Sequence, residues 1–176
     1  MKIILETDRL ILREINSRDE EVLFQLHSDP RVQQYTGEDI VATRLEIQES
    51  IKSRINSYNQ YGYGRWATIK KDTMEFVGWA GLAYLPEFDQ VDLGYRFFPN
   101  FWGQGIATEV SKAIINYGLS NLDIKEIIAI AMKENKASIR VMQKSGMQFY
   151  QIAPYDEQIK DAVWYICTKQ QYKKAL

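Results

Sequence analysis

Residues 91–132 constrain the fold more than any other part of the chain, because a strand, a glycine turn, a helix and a second strand follow one another directly. Val91, Leu93, Tyr95 and Phe97 alternate with Asp92, Gly94, Arg96 and Phe98, the two-residue period of a strand. After Pro99 the chain passes through Trp102-Gly-Gln-Gly-Ile-Ala107 into a helix expected to end near Asn121, with Ile106, Val110, Ile114 and Tyr117 on one side. Glu126–Met132 is then almost wholly apolar, as a strand covered on both faces would be. Two strands joined through such a helix make a right-handed crossover and should run parallel. The glycine turn would stand at the C-terminal edge of the first strand, where open α/β sheets place their ligands.

Small residues let a backbone fold close to a ligand, and the first helical turn offers unpaired N–H groups at the positive end of the dipole. Together they suit an anion such as a phosphate or pyrophosphate. Two glycines before a helix equally describe a tight connection with no ligand. The turn is not a Walker loop, since no Gly-Lys-Ser/Thr follows. Nor is it a dinucleotide fingerprint, since no glycine stands three residues after Gly105.

Around this unit, Leu10–Glu14 reads as a strand, and Ser17-Arg-Asp-Glu20 as a capping box opening a helix to about Ser28. Thr43-x-x-Glu46 opens a second helix with Ile47, Ile51, Ile55 and Tyr58 on one face, closed by Tyr61-Gly-Tyr-Gly64. Arg65–Lys71 and Glu75–Tyr84 suggest a hairpin, Pro86–Gln90 a turn, and Lys136–Ser145 a shorter helix before Gly146. Gln148–Ala153 and Ala162–Thr168 read as closing strands. Without repeats or linkers, residues 1–176 make a single domain, long enough to bury a core unaided.

A formal net charge of −1, from 22 basic against 23 acidic residues, argues against a nucleic-acid partner held by phosphate neutralisation. One Cys and one His leave no internal disulfide and argue against a zinc cage, so no metal is expected. The longest apolar stretch, Phe76–Leu85, falls far short of the roughly twenty residues a membrane span needs. Met1–Leu5 is too short an apolar run for a signal peptide, so the expected location is cytoplasmic, with no membrane partner.

The turn resembles the acyl-CoA signature of the GNAT superfamily of N-acyltransferases, Arg/Gln-x-x-Gly-x-Gly/Ala, with Trp102 at the leading position. Further landmarks resemble the branch of ribosomal-protein N-terminal (alanine/serine) acetyltransferases. These are Thr7-Asp-Arg-Leu-Ile-Leu-Arg13, Ser28-Asp-Pro30, Gly94-Tyr95, Trp102–Glu109, Asn135-x-x-Ser138 and Lys144-x-Gly146. The resemblance implies a mixed α/β (α+β) fold, a splayed mixed sheet of about six to seven strands flanked by about four helices. It implies acetyl-CoA as cosubstrate and transfer of its acetyl group to a primary amine, a protein N-terminus or a small molecule, by direct attack in a ternary complex. Pantetheine would pair with the edge of Leu93, Tyr95 and Phe97. The turn Trp102, Gly103, Gln104, Gly105, Ile106, Ala107 and Thr108 would hold the pyrophosphate, with Asn135 nearby. Ala129 and Ala131 would leave room in the splay.

Amide formation needs a neutral amine, a stabilised oxyanion and a proton for the departing thiolate. Asp92, on the polar face of the strand, is the candidate base, acting through water; as a bland alternative it is a solvated strand residue. The resemblance makes Ser138 the candidate proton donor; read without it, Ser138 is a polar residue in a helix turn capped by Asn135. Other family branches use a tyrosine seven residues after the Asn, which here is Met142. Glu109 reads as a carboxylate stabilised by the helix dipole. Cys167 and His27 read as structural rather than as a nucleophile pair, and Trp66, Trp79 and Trp164 as core. The resemblance places the acceptor beside Tyr35, Glu38, Asp39 and Glu87, whose aromatic and acidic groups would attract a cationic amine. Two alternatives stay open: an acyl-CoA sensor without turnover, and a homodimer as partner.

Overall fold

The computed structural model describes residues 2–37, 39–41 and 43–175. Eight strands form one sheet: β1 (Ile3–Glu6), β2 (Leu10–Arg13), β3 (Arg65–Lys70), β4 (Phe76–Leu85), β5 (Gln90–Phe97), β6 (Glu126–Ala131), β7 (Gln148–Ala153) and β8 (Ala162–Thr168). Their spatial order is β1-β2-β3-β4-β5-β6-β8-β7. Every neighbouring pair is antiparallel except β5 and β6, which the crossover makes parallel. Six α-helices are present among the described residues: α1 (Glu20–His27), α2 (Pro30–Gln33), α3 (Arg44–Tyr61), α4 (Ile106–Asn121), α5 (Lys136–Lys144) and α6 (Lys169–Ala175).

The mixed α/β class and the crossover agree with the sequence, but the sheet and helix counts exceed six to seven and four. β1 is a four-residue edge strand held by β2, too short to show a period of its own. α2 is a single turn with Pro30 at its start and Asp29 accepting from the Arg31 N–H, so Ser28-Asp-Pro30 both ends one helix and starts another. The first helix is also entered one residue earlier than Ser17. Asn16 caps a 3₁₀ turn over Ser17–Asp19, and Asp19 returns a bond to the Asn16 N–H, because a carboxylate three residues on completes the box as well as Glu20 could. The Thr43–Glu46 box and the left-handed Gly62 terminate α3 as expected. Ile47 and Ile51 are buried, but Ile55 is exposed, while Arg54 and Tyr58 on either side of it reach Trp79 and the Arg65 carbonyl of the sheet.

The sheet separates two apolar layers. Ile15, Leu23, Leu26, Ile47, Ile51 and Trp79 pack on the α1–α3 side. Leu12, Trp66, Leu82, Val110, Ile114 and Ile127 pack on the α4–α5 side. A register shift between β3 and β4 leaves Val77 as an extra residue between Gly78 and Phe76, reversing the pleat. Val77 therefore stays on the α4 side while Trp79 turns to the α1–α3 side. Gly78 permits this, with φ +148° and a Cβ position that would lie 2.0 Å from the Arg96 carbonyl.

Candidate functional site

Among the described residues β5 and β6 meet at one point, Asp92 opposite Ile128. Beyond it the strands diverge, leaving Leu93–Phe97 without a strand on that side. Apart from the Phe97 carbonyl, the groups of this edge that point away from β4 have no further strand to pair with. The gap widens into a cleft of about 920 Å³ whose walls come from both faces of the sheet. Ala129 and Ala131 of β6 line it, so the far wall is set back by small side chains.

On the α4 side the cleft reaches Trp102, Gly103, Gly105, Ile106, Ala107 and Thr108. Gly103 and Gly105 take left-handed φ values of +75° and +78°, which L side chains adopt at a cost. Gly105 is itself the N-cap residue, and among the described residues no side chain caps the helix. The N–H groups of the first turn thus face the cleft with the helix dipole behind them, a fit for an anion. Trp102 donates its indole N–H to the Phe97 carbonyl at 2.8 Å, tying the turn to the end of β5. The Gln104 side chain bonds away, to Asn100 O at 2.8 Å.

The turn is also held from below. Glu109, in the first turn of α4, accepts from Thr7 Oγ1 at 2.5 Å, Arg9 N at 3.1 Å and Arg9 Nε at 2.6 Å. Arg9 Nη1 reaches the Gln104 carbonyl at 3.1 Å. Burial pushes the Glu109 carboxyl up, but the Thr7 and Arg9 hydrogen bonds outweigh it and hold the group below its usual range. Arg9 was not legible as a site residue, because its partners lie about a hundred positions away in sequence.

Across the cleft, Asn135 caps α5 by accepting from the Ser138 N–H at 3.0 Å. The Ser138 hydroxyl lies 3.1 Å from the Tyr95 hydroxyl, joining the start of α5 to the open edge of β5. Burial pushes the Tyr95 phenol up, with the Ser138 bond opposing. Met142, one turn along α5, is buried.

The opposite face of β5 carries Asp92, Gly94 and Arg96. Asp92 is buried and ion-paired with Arg65, whose guanidinium also donates to the carbonyls of Gly81 and Asp92. Arg65 lies across the paired glycines Gly81 and Gly94; a Cβ on Gly94 would come within 2.9 Å of its guanidinium carbon. Burial pushes the Asp92 carboxyl up, against the pull of Arg65. Trp79 is buried as expected, yet it also floors the cleft, with the guanidiniums of Arg54, Arg65 and Arg96 at 4.7, 5.5 and 5.3 Å from its ring centroid. Trp79 Nε1 donates to His27 Nε2 at 3.1 Å, and Arg96 Nη1 lies 3.3 Å from His27 Nδ1. Arg96 reaches Gln33 Oε1 at 3.1 Å. Cys167 is buried in the other layer, and burial pushes its thiol up.

Of the expected acceptor residues, Tyr35 lines the cleft. Asp39 is exposed, and its carbonyl receives Gln33 Nε2 at 3.4 Å. Glu87 is exposed in the β4–β5 turn, outside the residues that line the cleft. Glu38 lies outside the described residues. The structure brings together Asp92, Tyr95, Ser138, Asn135 and the glycine turn.

A family model described as an acetyltransferase (GNAT) domain matches residues 9–148. The uncharacterised N-acetyltransferase YoaA of Bacillus subtilis is 35% identical over 153 residues, covering 82% of each chain. Spermidine N(1)-acetyltransferase of Escherichia coli is 25% identical, over 77% of this chain and 70% of that one. The structure of RimL, a ribosomal L7/L12 alpha-N-protein acetyltransferase in complex with coenzyme A, superposes with a TM-score of 0.80 at 21% identity. That superposition covers 95% of this chain and 98% of RimL, a likeness of fold. Among the described residues no helix is long and apolar enough to cross a membrane.

Proposed function

The chain belongs to the GNAT acetyltransferase family, and on that premise we propose that it transfers the acetyl group of acetyl-CoA to a primary amine by direct attack in a ternary complex. The observation that carries the reading is the divergence of β5 from β6 beyond Asp92, which opens one cleft to both faces of the sheet. The uncapped turn at Gly103–Ala107 would take the pyrophosphate, and the bare edge of Leu93–Phe97 would pair with pantetheine. Backbone N–H groups of the same edge would meet the developing oxyanion, since preorganised donors cost no reorganisation as charge forms.

Asp92 serves as the base, directly or through water, from the root of the cleft. Its burial raises its proton affinity, and Arg65 fixes its orientation. The guanidiniums around Trp79 add to this. A second cation beside them is disfavoured, so an amine that enters is pushed toward its neutral, nucleophilic form. Ser138 supplies a proton to the departing sulfur. Tyr35 meets the acceptor at the outer side, where its aromatic face attracts an ammonium group. The acceptor is a peptide N-terminus or a small amine, as in the RimL and spermidine enzymes by name.

The test is release of CoA thiol from acetyl-CoA over a panel containing spermidine, small monoamines and alanine- and serine-initiated peptides. Turnover with any of them supports the proposal. Saturable CoA binding with no turnover on any would replace it with the sensor reading.

A further inference from the structure

We propose that the Tyr95 hydroxyl stands behind Ser138 as its proton source, so that the two hydroxyls act as one relay to the sulfur of the departing CoA. The inference rests on the reading of the cleft as an acetyl-CoA site. A serine hydroxyl alone is a poor acid toward a thiolate, whose conjugate thiol titrates near roughly 8.5, because it would be left as an alkoxide. A phenol, at about 10, is far closer to the thiol in acidity. Tyr95 Oη sits 3.1 Å from Ser138 Oγ, within hydrogen-bond reach. Each hydroxyl has one proton. When Tyr95 donates to Ser138, the Ser138 proton is free to point into the cleft that both residues line.

The pair is held rigidly from both sides. The Tyr95 ring stacks on Phe97 at 5.3 Å and 16°. Ser138 is fixed by the Asn135 cap on its own N–H. Burial keeps the phenol protonated near neutrality. On the elements that bear the pair, Asp92 is paired with Arg65 and Arg96 bonds to Gln33 on the opposite face of β5, Lys136 is exposed, and Arg140, bonded to Gln143, and Lys144 line the cleft, where their positive charge favours a thiolate in wild type and variant alike.

In the step itself the amine nitrogen bonds to the acetyl carbon and its surplus proton passes to Asp92 or water. The C–S bond then breaks with its electron pair on sulfur. Sulfur takes the Ser138 proton as Ser138 takes that of Tyr95, and solvent reprotonates the phenolate. Tyr95 is thus a positioning residue that acts through Ser138.

The test is Tyr95→Phe, which keeps the ring and its stacking on Phe97. Bound free CoA is titrated in the binary complex by the ultraviolet absorbance of its thiolate, a readout that needs no acceptor. The relay donates to the thiolate, so the wild-type complex should titrate at a pH about 1 lower than the Tyr95→Phe complex. Ser138→Ala should resemble Tyr95→Phe, and the double variant should lose no more than either single one, as residues acting as a unit do. Identical thiol titration in wild type and Tyr95→Phe, with CoA bound in both, overturns the role of Tyr95 and leaves the acetyl-CoA site standing. Absence of saturable CoA binding to the wild type overturns both.

Discussion

Replacing Glu109 by Gln tests whether the N-terminal hairpin fixes the glycine turn. The carboxylate accepts three hydrogen bonds from Thr7 and Arg9, and it pairs with an Arg9 side chain that is 47% exposed. An ion pair so open to solvent contributes roughly 0.2–1 kcal/mol. The bond from Thr7 Oγ1 is part-buried, and with the exposed bond from Arg9 N it contributes about 1–2 kcal/mol. The amide keeps one accepting oxygen and places an N–H₂ against one of the donors, so the expected loss is about 2 kcal/mol at pH 7. For a chain of this size that is roughly 4–8 °C in Tm. Because the folded carboxyl is held below its ordinary value, its contribution is complete above the unfolded value near 4.3 and fades as pH falls through the folded one. The wild-type advantage should therefore be flat from pH 8 to 6 and shrink in acid. Thermal melts across that range measure it, and calorimetry with CoA should show affinity weakened about tenfold as the Gln104 carbonyl loses its hold on Arg9. A Tm within 1 °C of wild type at pH 7, with unchanged CoA affinity, would refute the tie.

Gly105→Glu should lower CoA affinity at least about tenfold by calorimetry, since it forces a side chain onto φ +78° and brings a carboxylate to the proposed phosphate site; unchanged binding by the folded variant removes this turn from the site. Asp92→Asn should reduce kcat by about 10²–10⁴ while CoA binding changes little, and near-normal kcat would mean that catalysis rests on positioning with water as proton carrier. For a cationic acceptor, kcat/KM should rise with pH up to the amine's own pKa, roughly 8 to 10.4, and salt should raise its KM. Tyr35→Ala should raise that KM about two- to fivefold through loss of cation–π attraction. A highest kcat/KM for an acceptor bearing net negative charge would refute this picture of the acceptor side.

The elements that were legible early are those whose signal is local. The alternation from Val91 to Phe97, the apolar run after Glu126, and the Ile106–Val110–Ile114 stripe each report one element packed against a sheet, and all three lie where periodicity puts them. The Thr43–Glu46 box is equally local. Elements that depend on a partner were harder to see. β1 exists through its pairing with β2. Ile55 has the spacing of a core residue but is exposed, because Arg54 and Tyr58 are the side chains that turn to the sheet at this end of α3. The box at Asn16 competes with one at Ser17 that reads as well on paper.

The sequence by itself determined the crossover and the glycine turn at its edge, because spacing and small residues are properties of a short segment, and its resemblance to a family made Asp92 and Ser138 candidates. Only the tertiary structure decided what those groups face. The reversal of the pleat at Gly78 carries Trp79 to the guanidiniums of Arg54, Arg65 and Arg96, and the splay beyond Ile128 sets Tyr95 against Ser138. Thr7 and Arg9 meet Glu109 across about a hundred residues. The physical reason is the same in each case: a side chain's charge and proton affinity are set by its nearest neighbours in space, and here those neighbours arrive from other strands and helices.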